Sequence, residues 1–200
     1  MIITAIKQQV RAKGRYSIYV DSQYAFSLSA DALLTEHIVL GQELSVTEVR
    51  SYKRLSEQDK AADLAISYAV SRRRSRWELY DYFRRKGWDE ALQQKIIARL
   101  ERLGLVDDEA FAEAWVRNRR LLKAVSRRRL VQELHQKHVA DELIERVLRR
   151  DETSEHDVLL ELVVRKRKQT RYQDDTKLMQ YLARQGFGYD DIKAALVGTD

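Results

Sequence analysis

The strongest constraint on the fold of this chain is an internal repeat of about 50 residues. Shifting the sequence by 51 residues against itself brings polar, apolar and basic positions of two copies into register. The pairs are Ser75 with Ser126, Leu79 with Leu130, Phe83 with Leu134, Lys86 with Lys137, Trp88 with Val139, Leu92 with Leu143 and Ile96 with Val147. A weaker third copy, offset by 99 residues, pairs Leu79 with Leu178 and Gly87 with Gly186. Copies in tandem indicate a repeat architecture rather than one large core.

Each copy contains the start and stop signals of short helices. In the first copy, Ser75 and Glu78 have the spacing of a capping box, and Gly87 ends the helix that they open. A second helix begins near Asp89 and stops at Gly104. Helices this short are unstable alone, so three must pack together in each copy. The sequence therefore predicts a mainly α fold of tandem three-helix modules, resembling helix-turn-helix units, stacked as an elongated array.

The first 29 residues have a different pattern, in which apolar and polar β-forming residues alternate. Turn-forming pairs occur at Lys13-Gly14 and Asp21-Ser22, which predicts a three-stranded antiparallel meander. We expect segment 29–40 and a helix capped by Ser45 to cover the sheet. The predicted domains are a β-containing N-terminal domain at 1–55 and three-helix repeats at 56–105, 106–152 and 153–200.

Composition excludes several classes of protein. The chain has no cysteine, which rules out disulfides and thiolate zinc sites, and no apolar run approaches the roughly 18 residues of a membrane span. The N-terminal stretch lacks the apolar core of a signal peptide. We therefore expect a soluble, cytoplasmic protein with no membrane partner. A pI near 9.5 favours an anionic partner.

No residue pattern indicates catalysis. The sequence has no phosphate-binding glycine loop, no nucleophile elbow and no metalloprotease motif. Asp107 and Asp108 could form a metal site or a catalytic pair, but their place between a glycine stop and an apolar stripe favours helix capping. His135 and His138 lack a third ligand at a usable spacing. We expect a protein that is not an enzyme and has no metal and no cofactor.

Clusters of basic residues are the candidate binding groups, and two interpretations of them stay open. They could form a solvated face, or they could contact an anion. Arg76 and residues 127–129 lie in first helical turns, where the helix dipole disfavours cations, so contact with an anion would explain them. Arg117, Arg119 and Arg120 lie late in a helix and need no such explanation. The candidates are Arg72, Arg73, Arg74, Arg76, Arg84, Arg85, Lys86, Arg127, Arg128, Arg129, Arg165, Lys166, Arg167 and Lys168.

Aromatic residues are a second class of candidate, because aromatic rings can stack on bases. Trp88 and Trp115 fall at helix-packing positions and are predicted to belong to the core. Trp77, Tyr80 and Tyr16 have no such assignment from the sequence.

The central segment resembles the signature of the RecX family of bacterial recombination regulators. The resemblance rests on the segment from Arg73 to Leu79, on Lys86-Gly87, and on the run from Leu103 to Asp108 followed by Phe111-Ala112. It implies a cytoplasmic protein that binds the RecA recombinase, lodges in the groove of its nucleoprotein filament, and inhibits ATP hydrolysis and strand exchange. A role in DNA repair and homologous recombination follows from the same resemblance.

The chain departs from the family pattern at two turns. His138 stands where the family usually has glycine, so a residue with a side chain must adopt the left-handed conformation there. Lys123-Ala124 lacks a glycine that the family often has. The partners implied are the RecA filament together with single- and double-stranded DNA, and we expect a monomer. Two other functions stay open: a sequence-independent DNA-binding protein acting through its basic clusters, and a structural adaptor.

Overall fold

The N-terminal residues form the predicted antiparallel meander. The computed structural model describes residues 1–12 and 14–197. Strands β1 (Ile3–Gln8), β2 (Arg15–Val20) and β3 (Gln23–Ser29) pair in the order β1-β2-β3. Asp21 and Ser22 form the second turn with positive φ angles of 47° and 68°. The first predicted turn includes Lys13, which lies outside the described residues.

Two helices cover one face of this sheet. Helix α1 (Ala30–Thr35) follows β3 directly, and the long helix α2 (Val46–Ser71) begins at the predicted capping box of Ser45 and Glu48. The apolar residues between sheet and helices are buried, among them Ile18, Phe26 and Leu28. Helix α2 continues without a break through residue 55, so the covering helix and the first helix of the predicted first repeat are one element.

A buried polar network fastens α2 to the sheet. Arg15 of β2 donates to Asp59 of α2 over 3.0 Å and also pairs with Asp63. Asp59 accepts hydrogen bonds from the backbone N–H of Ser29 at 2.6 Å and from its hydroxyl at 2.8 Å. A second Arg15 nitrogen donates to the carbonyl oxygen of Ser27 at 3.0 Å. Both charged groups of Arg15 and Asp59 are paired, as a buried charge requires, although the buried Nε of Arg15 has no hydrogen-bond partner among the described residues.

The remaining regular elements of the described chain are helices, which confirms the predicted mainly α fold. The elements are α3 (Arg76–Arg85), α4 (Glu90–Arg102), α5 (Asp108–Leu122), α6 (Arg127–His135), α7 (Asp141–Arg149), α8 (Glu155–Arg167), a 3-10 turn (Thr170–Tyr172), α9 (Asp175–Arg184) and α10 (Tyr189–Val197). No helix in this part of the chain is long and apolar enough to cross a membrane.

The boundaries of the helices follow the caps expected from the sequence. Asp89 and Asp107 each accept a backbone N–H at the start of their helix, at 2.8 and 2.9 Å. Gly87 and Gly104 have positive φ angles of 72° and 66° just after α3 and α4. His138 has the same conformation, with φ 53°, after α6. The non-glycine residue therefore does adopt the left-handed conformation that the repeat pattern required.

Contacts divide the chain into two compact units. The first contains Met1–Arg72 and Phe83–Leu105, and the second contains Arg73–Tyr82 and everything from Val106 onward. The division passes through α3, whose residues up to Tyr82 belong to the second unit. The division into one N-terminal domain and three repeats stays a prediction.

Two separate apolar cores lie within the second unit. One is built by α5, α6 and α7, and its fully buried residues include Leu130, Leu134 and Leu148. The other is built by α8, α9 and α10 around Leu159, Leu162, Leu178 and Leu182. Each core therefore belongs to one group of three helices, as a three-helix module requires.

Candidate functional site

The first turn of α6 carries three candidate arginines, and the backbone N–H groups of Arg127 and Arg129 already have partners. The Ser126 hydroxyl accepts the N–H of Arg129 at 3.0 Å and donates to the carbonyl oxygen of Gln185 at 2.8 Å. The N–H of Arg127 donates to both carboxylate oxygens of Glu155, at 2.9 and 3.0 Å. A helix start attracts anions. Here the anion is a carboxylate from the first residue of α8.

The first turn of α3 has the same arrangement. Ser75 and Glu78 cap each other over 3.2 and 3.4 Å, as the sequence predicted. The N–H of Arg76 donates to Asp108, the first residue of α5, at 2.7 Å. Burial raises the pKa of the Asp108 carboxyl, although its contacts with Arg76 oppose that shift. In both copies a carboxylate from a later helix caps the arginine-bearing start.

The side chains of the α6 cluster have different surroundings, although all three are exposed. The guanidinium of Arg127 donates to the carbonyl oxygen of Leu148 near the end of α7, at 2.8 Å. Arg129 pairs with Glu133 one turn later, at 3.3 Å. Arg128 has no hydrogen bond or ion pair within residues 1–12 and 14–197. Of the three, Arg128 is the one whose charge is available to a partner.

The cluster at the end of α8, residues 165–168, divides in the same way. Arg167 donates to the carbonyl oxygen of Gln173 at 2.8 Å and pairs with Asp175, so it holds the 3-10 turn against α8. The ammonium of Lys166 lies 4.7 Å from the ring centroid of Tyr181. Arg165 and Lys168 are exposed, and the described part of the chain offers neither a polar partner. These two are available for binding, whereas Arg167 and Lys166 also support the fold.

The remaining candidates lie around α3. Arg72, Arg73 and Arg76 are exposed and Arg74 is half-buried. All four have interactions within the chain. The candidates at the other end of α3 are exposed and also have such interactions; they are Arg84, Arg85 and Lys86. Arg73, Arg74 and Arg76 belong to the second compact unit. Arg72 belongs to the first unit, together with Arg84, Arg85 and Lys86.

The three tryptophan side chains contact other residues of the same chain. Trp77 stacks on His138, with ring centroids 4.5 Å apart, so it does have a partner that the sequence did not indicate. Trp88 packs on Phe83 at 5.2 Å, which supports its predicted role in packing. The indole of Trp115 donates to Glu133 at 2.9 Å. An aromatic side chain with such contacts has little ring face left for a base.

The candidate metal ligands are engaged in capping and pairing. Asp107 caps α5, and His135 contacts Asp141 over 2.7 Å at the junction of α6 and α7. Within the described residues, no group of three or more His, Asp and Glu side chains is placed to hold a metal ion. The arrangement offers charged and polar groups for recognition of a partner.

Comparison with protein families matches three successive parts of the chain. Residues 1–45 match the regulatory protein RecX N-terminal domain. Residues 107–148 match the second three-helix domain of RecX, and residues 152–196 match the third. The last two matches coincide with the two groups of three helices that have separate cores.

Individual relatives have the same description. Regulatory protein RecX of Bacillus licheniformis is 30% identical over 203 residues, covering 99% of this chain and 77% of that protein. Its counterpart from Caldanaerobacter subterraneus is 26% identical, covering 98% of each. The counterpart from Lactobacillus johnsonii is 34% identical over 144 residues, and the chain spans only 53% of its length.

Two solved structures share the fold. A crystal structure of regulatory protein RecX superposes with a TM-score of 0.74 at 24% identity, covering 96% of this chain and 97% of that one. The crystal structure of RecX from Lactobacillus salivarius gives a TM-score of 0.59 at 22% identity, over 70% of this chain and 95% of that one. At these identities the likeness establishes the fold alone.

Proposed function

Because this chain belongs to the RecX family of regulatory proteins, we propose that it binds the RecA recombinase on its nucleoprotein filament and inhibits ATP hydrolysis and DNA strand exchange. The observation that carries the proposal is the family match from the N-terminal sheet to the last three-helix module. A regulator of RecA would act in the cytoplasm, where the filament forms on DNA. It would act by binding and without catalysing a reaction itself.

The surroundings of the helix starts support a protein partner over DNA alone. Glu155 and Asp108 occupy the positions at which a phosphate would accept backbone N–H groups. A phosphate would have to displace a carboxylate of the chain at each start. The charges without an internal partner among the candidates, Arg128, Arg165 and Lys168, are available for either kind of partner.

Inhibition requires that the protein favour one state of the filament. A bound regulator slows turnover only if it binds the inactive conformation more tightly than the active one. A tenfold preference corresponds to about 1.4 kcal/mol of differential affinity. Charged contacts made in only one filament state would supply a preference of that size. We propose the basic candidates as these contacts.

Inhibition of the RecA ATPase tests this function. Purified chain is added to RecA filaments on single-stranded DNA while phosphate release is followed. Turnover should fall as the chain approaches the concentration of RecA, and a heat-denatured sample should leave it unchanged. Unchanged turnover at equal concentrations of chain and RecA would refute the proposal.

The second candidate function is sequence-independent DNA binding, which the exposed Arg128, Arg165 and Lys168 favour. Such binding must weaken steeply with salt, with a log-log slope of roughly 0.7 to 0.9 for each neutralised phosphate. Fluorescence anisotropy with labelled single- and double-stranded DNA measures that slope. Negligible affinity near physiological salt, with RecA binding retained, would exclude this alternative.

A further inference from the structure

A second basic site lies on the α5 and α7 pair, away from the helix starts. A pocket of about 300 Å³ opens between α5 and the end of α7. Val116 and Val147 contribute buried apolar surface to it, and Arg117, Arg120 and Arg150 line it. A concave site with an apolar lining and a few convergent charged groups is the usual form of a binding pocket.

Two of the three arginines are held by acidic residues of the chain. Arg120 donates through Nε and Nη2 to Asp151, at 3.0 and 2.8 Å, and through Nη1 to the carbonyl oxygen of Val125. Arg150 donates through Nη1 to Glu113 at 2.8 Å and to Glu109 at 3.0 Å. These contacts hold both guanidinium groups in place beside the pocket.

Arg117 differs from both of its neighbours. It is exposed, and within the described parts of the chain its side chain makes no hydrogen bond and no ion pair. It lies one turn from Glu113 and Arg120 on the same face of α5, because residues spaced by three and four share a helix face. Its position late in a helix, which explains a cation there, does not explain why it lines a pocket without a partner.

The acidic residues of the pocket do not compete for Arg117. Asp151 accepts the hydroxyl of Thr153 at 2.6 Å in addition to its bonds from Arg120. Burial alone would raise the pKa of Asp151, but the hydrogen bonds from Thr153 and Arg120 outweigh burial and hold that pKa below its ordinary value. Glu113 forms an ion pair with Arg150. Among the residues that line the pocket there are three guanidinium groups and two carboxylates, and Arg117 is the one guanidinium that neither carboxylate engages.

We propose that this pocket receives an Asp or Glu side chain of the protein partner, with Arg117 as the main donor. The inference rests on the proposed function, because it assigns a subsite for the partner. A carboxylate would supply the partner that the Arg117 side chain lacks, because the planar guanidinium matches it in a bidentate pair. The valine surface suits the methylene groups of an acidic side chain.

A DNA phosphate fits this pocket less well. The backbone of DNA is convex and continuous, and its neighbouring phosphates would approach the exposed carboxylate of Glu113. A single side chain entering from a protein surface avoids that repulsion. A protein carboxylate is therefore the ligand that the geometry favours.

The first test compares Arg117→Gln with Arg149→Gln. Arg149 is also exposed and without a polar partner in the described residues, but it does not line the pocket. Affinity for RecA filaments should fall about tenfold for Arg117→Gln, which loses a charge-assisted hydrogen bond, and stay within about twofold for Arg149→Gln. Equal affinities of wild type and Arg117→Gln would overturn the subsite and leave the proposed function intact. If the wild type does not bind RecA, the proposed function fails.

The second test measures binding of a small carboxylate to the pocket in the absence of RecA. The ¹⁵N-labelled full chain is titrated with N-acetyl-glutamate amide, N-acetyl-glutamine amide and inorganic phosphate, and the arginine Nε–H resonances are followed by NMR. The glutamate compound should shift the signals of Arg117 and Arg150 and leave that of Arg149 in place. Equal shifts with the glutamine compound, shifts at Arg149 of the same size, or a response to phosphate alone would each overturn the proposal.

Discussion

The imidazole ring of His138 stacks on the indole ring of Trp77, with centroids 4.5 Å apart and ring planes inclined by 19°. His138 occupies the left-handed position after α6, with φ 53°, where the other copies have Gly87 and Gly186. The side chain that makes this backbone conformation costly also joins the first half of α3 to the end of α6. Lys137 adds an ion pair with Glu78 at 2.8 Å between the same helices.

Substitution of His138 separates these two effects. His138→Ala keeps the strained φ and loses the ring contact, so it should lower the free energy of unfolding by about 1 kcal/mol. His138→Gly also loses the ring contact but relieves the strain, and it should be more stable than His138→Ala by about 1 kcal/mol. Urea unfolding followed by circular dichroism measures both. Equal stabilities of the two variants would show that the left-handed conformation carries no cost here.

The third copy uses its glycine in a different way. A Cβ atom on Gly186 would lie 2.4 Å from the Ser126 hydroxyl oxygen and 3.3 Å from the Arg129 nitrogen. That hydroxyl is fixed because it caps α6 and bonds to Gln185. Glycine here therefore permits both the positive φ of 92° and a close approach between α6 and the end of α9.

Gly186→Ala should therefore be much more damaging than Gly87→Ala. Both have positive φ, which costs alanine about 1 kcal/mol, but a Cβ on Gly87 would meet no atom within 4 Å. The overpacking at Gly186 should add about 1 to 3 kcal/mol. Thermal unfolding of the two variants measures the difference. Similar losses in both would mean that α6 and the end of α9 move apart at little cost.

Local signals in the sequence predicted the caps and the helix ends, because capping depends on residues three or four apart. Ser75 with Glu78 and the glycine at Gly104 are examples. The partners of the helix starts could not be predicted in this way. The sequence predicts helix capping for both Asp107 and Asp108. In the structure Asp107 caps α5, whereas Asp108 caps α3, 32 residues earlier in the chain. Such a pairing depends on how helices pack, which a periodic pattern does not specify.

The candidate site was predictable by residue type but not by role. All residues of the clusters at 127–129 and 165–168 are Arg or Lys, so the sequence does not distinguish their roles. In the structure, Arg127 and Arg167 bind backbone carbonyl oxygens, whereas Arg128 and Arg165 bind nothing within the described residues. The sequence also does not predict the continuity of α2, because the helix signals on the two sides of residue 55 are separate and nothing local indicates that they belong to one helix.

Asp151→Asn should lower stability in a pH-dependent way. Asp151 and Arg120 are about nine-tenths buried and paired. Removing one partner of a buried pair typically costs about 3 to 5 kcal/mol, and the retained amide oxygen should reduce that cost. Because the pKa of Asp151 is lower in the folded state, its stabilisation is fully present above the unfolded value, roughly 3.9, and is lost as the pH falls through the folded value.

The difference in unfolding free energy between wild type and Asp151→Asn should therefore be constant from about pH 7 to pH 5 and shrink below about pH 4. Urea unfolding at several pH values measures it. Glu161→Gln, an exposed substitution in the middle of α8, serves as the control and should show little difference throughout. A difference that grew as the pH fell would contradict the assigned direction of the pKa shift.

The two neighbouring arginines of α6 allow binding to be separated from folding. Arg128→Glu removes a charge with no internal partner, so its unfolding free energy should stay within about 0.5 kcal/mol of wild type while inhibition of the RecA ATPase weakens. Arg127→Ala removes the bond to the Leu148 carbonyl oxygen and should cost about 1 kcal/mol of stability.

Arg149→Glu, with the same charge change at an exposed position outside the candidate clusters, controls for net charge. Urea unfolding measures the stability of each variant, and phosphate release by RecA on single-stranded DNA measures its inhibition, with both experiments made on the same preparations. If Arg128→Glu inhibits as well as wild type, the α6 cluster is not a contact site, and the basic residues at 165 and 168 become the ones to test, since the family membership does not depend on either cluster.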